Sequence, residues 1–144
     1  MPTRKGVAGA RPNGPNAGMK QLSVGIVGAG MGGLAVASLL ARAGHDVTIA
    51  ERFMQARAIG SGLVLQPVGL AVLDEIGAGQ AARAYAAPIG HMLGHAGKRA
   101  VLDVAYAPHA PGLAMHRAAL FAVLWQAALA AGARVAYPSS ASAT

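Results

Sequence analysis

At 144 residues the chain makes one ordinary domain, long enough to bury a core but small for a complete nucleotide-dependent enzyme. No cysteine is present, which excludes disulfides, thiolate catalysis and Cys-type metal sites and is compatible with the cytoplasm, the location expected for it. The formal charge of +7 suggests nucleic acid at first sight, but four of the twelve basic residues are Arg4, Lys5, Arg11 and Lys20; the rest are dispersed against five acidic residues with no basic stripe interleaved with aromatics, so no nucleic-acid partner is expected.

Residues 1–17 (MPTRKGVAGARPNGPNA) are rich in Pro, Gly and Asn and lack the apolar bulk to offset ordering entropy, so residues 1–20 read as a disordered basic tail. Met19 is a candidate true start, because strand-like sequence follows it almost at once. Residues 22–27 (LSVGIV) read as a strand buried on both faces, and residues 34–43 (LAVASLLARA) as a helix. Between them lies Gly28-Ala29-Gly30-Met31-Gly32-Gly33, a GxGxxG turn from strand to helix. Gly28 suits the tight turn, Gly30 lets backbone approach a pyrophosphate, and Gly33 lets the helix pack close to the sheet. Helix N–H groups and the positive end of the helix dipole converge on that anion without a lysine.

Residues 46–50 (DVTIA) form a second strand, and Glu51 follows about 20 residues after the fingerprint, where a carboxylate accepts hydrogen bonds from an adenosine ribose. A carboxylate there repels a 2′-phosphate, which favours FAD or NAD over NADP, although Arg52 beside it leaves room for the latter. The uncharged stretch 21–41 also allows a signal or membrane-anchor reading, opposed by its five glycines and by the register of Glu51.

Further along, residues 60–67 (GSGLVLQP) read as a glycine-punctuated strand ending in proline, and residues 68–76 as a short helix stopped by Gly77. Residues 86–105 read as paired antiparallel strands around a turn near Gly97-Lys98. Residues 117–131 (RAALFAVLWQAALAA) form a strong helix with Leu120, Leu124 and Trp125 on one face, and residues 133–137 a closing strand. Asp74-Glu75 reads as solvated helix surface. The five histidines suggest no metal site, since His91 and His95 lie four apart in a strand-like stretch rather than on a helix face. No nucleophile and base can be paired, so no catalytic residue is assigned. The fold class expected is α/β: a Rossmann-like βαβ unit with a parallel sheet plus an antiparallel excursion, incomplete as it stands.

Three stretches, VGIVGAGMGGLAVASLLARAGHDVTIAER, GSGLVLQPVGLAVLDEIG and MHRAALFAVL, resemble the FAD-dependent monooxygenases of the aromatic-ring hydroxylase type, with the para-hydroxybenzoate hydroxylase fold. The similarity runs over residues 21–137. It implies FAD as cofactor, NAD(P)H as reductant, and O2 consumed to hydroxylate an aromatic or similar small molecule. By the same resemblance Gly28, Ala29, Gly30, Met31, Gly32 and Gly33 hold the pyrophosphate, Glu51 the ribose, and Arg52 the adenine neighbourhood. Gly60 and Gly62 would form a backbone-close wall of the flavin pocket and Arg117 would face the cofactor.

Residue physics alone reads Arg117 as a solvated charge, disfavoured at a helix N-terminus unless an anion lies opposite. Two later motifs of such enzymes, an Asp-Gly and a Gly-Asp pair, are absent, and the family's asparagine after the helix-leading proline is Val68 here. Residues 138–144 (PSSASAT) read as a disordered tail, so a truncated FAD-binding portion, inactive alone, is expected. A stand-alone NAD-binding Rossmann module is the alternative.

Overall fold

The computed structural model describes residues 20–52 and 61–137. The tails expected at 1–20 and 138–144 lie outside the described residues, Lys20 excepted, and so do Met19 and Gly60. Strand β1 (Ser23–Val27) leads through the glycine turn into α1 (Met31–Arg42), which returns the chain to β2 (Asp46–Ala50). Then come β3 (Gly62–Leu65), α2 (Pro67–Glu75), α3 (Gly79–Ala84), β4 (Ala86–Ile89), β5 (His91–Ala96), β6 (Arg99–Ala105), β7 (Gly112–His116), α4 (Arg117–Ala130) and β8 (Arg134–Ala136).

Three sheets result among the described residues. The parallel one has the order β1-β2-β8, so α1 and then α4 carry the chain one strand further in the same direction each time. Both helices lie on one face of that sheet and pack on each other, as crossovers of one hand running in the same direction require. Leu34 and Ala37 of α1 meet Val47 and Ile49 of β2, with Leu120, Val123, Leu124 and Ala128 of α4 completing the layer. The core is thin: Leu34, Ile49 and Val47 are its only fully buried large apolar side chains among the described residues.

The expectation that β1 is buried on both faces is corrected. Its residues alternate between exposed and half-buried, and Val27 is 93% exposed. Only one face of the parallel sheet is covered among the described residues; the other carries an ion pair in which Arg134 meets Asp46 at 2.8 Å across β2 and β8. The signal or anchor reading of residues 21–41 also fails, since they divide into a strand, a turn and the first eleven residues of α1. Its 12 residues rise about 18 Å, and no described helix is long and apolar enough to cross a membrane.

The second sheet, β3-β7-β4, is antiparallel, and β5 and β6 pair alone as a hairpin. Its two-residue turn has Gly97 at φ 61, while no other residue type in the described chain has positive φ, which is the II′ pattern at Gly97-Lys98. Residues 86–105 are therefore not one paired excursion: β4 leaves the hairpin and joins β7. There it is an edge strand, where Pro88 can dispense with an N–H. Tyr106 ties the hairpin base to the body, its hydroxyl donating to Gln66 Oε1 at 2.9 Å while its ring lies over Gly112.

Helix α2 begins one residue earlier than expected because Pro67 occupies its first turn, where a missing N–H costs nothing. Asp74 at its end is exposed but not merely solvated: Arg83 of α3 forms a two-pronged contact at 2.6 and 2.8 Å. That hydrogen-bonded guanidinium holds the Asp74 carboxyl below the ordinary carboxylate range.

Among the described glycines the closest approach to backbone is at Gly33, where an added Cβ would collide with the carbonyl oxygen of Gly28. Backbone cannot yield as a flexible side chain can. Gly33→Ala should therefore lower unfolding free energy by about 2 kcal/mol or more, read as a fall in the urea midpoint. An unchanged midpoint would show that helix and turn are not in this close contact.

Candidate functional site

The carboxyl ends of β1 and β2 and the N-terminus of α1 converge on one turn. Gly28 donates its N–H to the Ala50 carbonyl at 2.8 Å, extending the parallel ladder one residue beyond the strand. Its φ of 94 then swings the chain away from the sheet, a conformation that costs a side-chain-bearing residue about 1 kcal/mol. Gly30 is the N-cap of α1, and its carbonyl accepts the first helical bond from Leu34 N–H at 2.9 Å. The N–H groups of Met31, Gly32 and Gly33 precede that bond and have no carbonyl one turn back within the helix. No side chain among the described residues caps this end, and no acidic residue lies in its first turn. The positive end of the dipole and these N–H groups are a favourable place for an anion.

Space complements the dipole. A Cβ at Gly28, Gly30 or Gly32 would meet nothing within 4 Å, so the turn presents bare backbone to open volume. Gly30 differs from Gly28 in its backbone: φ −73 and ψ 173 suit any residue. The glycine there supplies room rather than conformation. Met31 is half-buried and packs against the core cluster, so its backbone and not its side chain faces the opening.

Glu51 is buried and stands directly against this turn. Its Oε2 accepts the N–H of Ala29 at 2.7 Å, and its own N–H donates to Ala136 of β8 at 2.9 Å. Ala29 is buried as well, and its N–H is already committed to the carboxylate, a bond that spacing arguments do not anticipate. Arg52 follows on the exposed side.

A second group is assembled by β3 and β7. Gly62 sits opposite His116 in the antiparallel register, and Arg117 donates its backbone N–H to the Ser61 carbonyl at 3.3 Å. Gly62 and Arg117, 55 positions apart in sequence, are thus neighbours. A Cβ at Gly62 would stand 3.5 Å from the Met115 carbonyl, an ordinary contact, so its backbone does not require glycine. Arg117 opens α4 after the N-cap His116, and its Nε is buried without a hydrogen-bond partner among the described residues.

The histidines contribute structure. His45 is buried, with Nδ1 3.4 Å from the Leu22 N–H, and His91 meets Asp103 at 2.7 Å across the hairpin. Among the described residues no three metal-ligating side chains come together.

A βαβ unit with a glycine-lined, uncapped helix end and an acidic residue closing the second strand defines a dinucleotide-binding α/β domain. Residues 21–140 match the FAD binding domain family, and the chain belongs to that family. It is 35% identical over 112 residues to a 3-hydroxybenzoate 6-hydroxylase of Klebsiella oxytoca, covering 72% of this chain and 28% of that protein. It is also 44% identical over 66 residues to an FAD-dependent monooxygenase of Sarocladium schorii, 46% of this chain and 15% of that one.

Among solved structures, the tetrameric form of 2-methyl-3-hydroxypyridine-5-carboxylic acid oxygenase superposes with a TM-score of 0.71 at 26% identity, covering 83% of this chain and 32% of that chain. CtdE in complex with FAD shares the fold at a TM-score of 0.62 and 21% identity, covering 82% of this chain and 30% of that chain. The chain spans less than a third of the length of each of these relatives.

The two glycines that flank Ala29 should separate in a stability assay. Gly28→Ala should cost about 1 kcal/mol through its φ, whereas Gly30→Ala should stay within about 0.5 kcal/mol of the parent. Equal losses in urea unfolding would mean that Gly30 serves the fold and not the opening.

Proposed function

We propose that this chain holds the ADP half of FAD within a flavoprotein monooxygenase whose whole form uses NAD(P)H and O2 to hydroxylate an aromatic or similar small substrate. The carrying observation is the end of α1: outward N–H groups, no capping side chain, and three glycines with open space in front of them. A pyrophosphate fits this chemistry, being anionic and needing bare backbone within hydrogen-bonding distance. FAD when bound supplies the redox chemistry; the protein binds, orients and excludes water.

In this reading Gly30, Met31, Gly32 and Gly33 receive the pyrophosphate, with Gly28 and Ala29 shaping the turn. Glu51 takes the ribose, and Arg52 lies toward the adenine. Gly62 lines the flavin side beside Arg117. A guanidinium at a helix N-terminus opposes the dipole, and a buried Nε without a partner adds a desolvation cost. An anionic cofactor opposite Arg117 would offset both. The substrate class rests on the relatives, of which one is a hydroxylase of 3-hydroxybenzoate and another an oxygenase of a hydroxypyridine carboxylic acid. The chain spans less than a third of the length of these relatives, so by itself it should not hydroxylate.

Titration with FAD, followed by flavin fluorescence, should give micromolar or tighter binding that ADP competes away. Gly30→Val should weaken both ligands at least tenfold, and Arg117→Ala should weaken FAD more than ADP. Binding of NAD with no affinity for FAD would replace this reading with a nicotinamide-binding module. Purified chain that oxidises NAD(P)H and releases a hydroxylated product would refute the expectation that this stretch does not hydroxylate by itself.

A further inference from the structure

We infer that Glu51 is a positioning residue for the pyrophosphate turn, acting through the Ala29 N–H, in addition to any contact with a ribose. The inference rests on the reading of the turn as an ADP site. Ala29 stands between Gly28, in a conformation few other residues adopt, and Gly30, which has no side chain to pack. Two glycines in three residues give this segment much conformational entropy to lose, at a position where orientation matters. A side chain ties this backbone to the second strand through the 2.7 Å bond from the Ala29 N–H to Glu51 Oε2.

The anchor itself is rigid. Glu51 closes β2, whose register with β1 and β8 is fixed on both sides, and its N–H bonds to Ala136 of β8. One residue thus spans the ends of three strands: backbone to β8, position on β2, side chain to the turn after β1. Both bonded groups are buried, so losing the carboxylate would leave the Ala29 N–H buried and unsatisfied, and the turn would move to satisfy it. That movement would re-aim the N–H groups of Met31 and Gly32. A carboxylate has about four lone-pair positions, so holding Ala29 is compatible with accepting ribose hydroxyls as well. Its negative charge near the start of α1 is favourable to the helix dipole and unfavourable to a pyrophosphate.

The two roles separate with 2′,3′-dideoxy-ADP, which lacks the ribose hydroxyls. Wild type, Glu51→Ala, Glu51→Gln and Glu51→Asp are titrated with ADP and with the dideoxy analogue, and Ala29 amide exchange is followed by NMR in the ligand-free proteins. We expect Glu51→Ala to weaken dideoxy-ADP at least tenfold. Glu51→Gln, whose carbonyl still accepts from Ala29, should restore it to within about threefold.

Ala29 exchange should be at least tenfold faster in Glu51→Ala and near wild type in Glu51→Gln. Equal dideoxy-ADP affinity in wild type and Glu51→Ala, or equal exchange, would overturn the inference. If Glu51→Ala does not fold, Glu51→Asp, which keeps the charge but withdraws it by one methylene, takes its place under the same criteria. A wild-type chain that binds neither nucleotide defeats the ADP-site reading, and the exchange measurement still decides the anchoring role.

Discussion

The approach of α1 to the end of β1 is the constraint on which the rest of the structure depends. Gly33 lies so near the Gly28 carbonyl that no side chain can intervene. This closeness brings the helix N-terminus to the mouth of the parallel sheet instead of a side-chain's width above it. It also lowers Leu34 and Ala37 onto Val47 and Ile49, the best-buried part of the core. Gly33 therefore serves packing, and by setting the height of the helix it also sets where the open turn at Gly28, Gly30 and Gly32 stands. A larger residue at Gly33 would lift the helix and carry its outward N–H groups away from Glu51.

Legibility in the sequence follows how local the cause is. The βαβ unit, its turn and the position of Glu51 were readable because each rests on short-range patterning: an apolar run, glycines at fixed offsets, a second apolar run. The hairpin turn at Gly97-Lys98 and the helix beginning at Arg117 were readable for the same reason. By contrast β7 (GLAMH) is five residues with no alternation that could be told from loop, and its identity as the central strand of its sheet comes from partners at residues 62–65 and 86–89. Helix α3 has six residues and little periodicity; Ala78 and Ala82, buried against α2 and α4, and the Arg83–Asp74 contact hold it.

At the site the pattern repeats. Sequence spacing places Glu51 near the glycine turn but cannot say which backbone group its carboxylate meets. That requires knowing that β1 and β2 are in direct register, with Val27 opposite Ala50. The juxtaposition of Gly62 with Arg117 likewise depends on pairing between strands more than 45 residues apart. Side chains with long-range partners, Tyr106 with Gln66 and Arg134 with Asp46, were silent for this reason.

A thin core gives the site an energetic meaning. Few large side chains are fully buried, one face of the parallel sheet is uncovered among the described residues, and Val27, Val68, Tyr85 and Val101 are exposed. Domains are stable by only about 5–15 kcal/mol, and a core of this kind belongs toward the lower end. Under those conditions a ligand that binds only the folded chain contributes a large share of stability, about 2.7 kcal/mol at a concentration a hundred times its dissociation constant. In the proposed reading that contribution enters at the glycine turn, which Glu51 ties to β2 and β8. Nucleotide binding and the integrity of the parallel sheet would then be coupled, and a change that loosens the bond between Glu51 and Ala29 would loosen both.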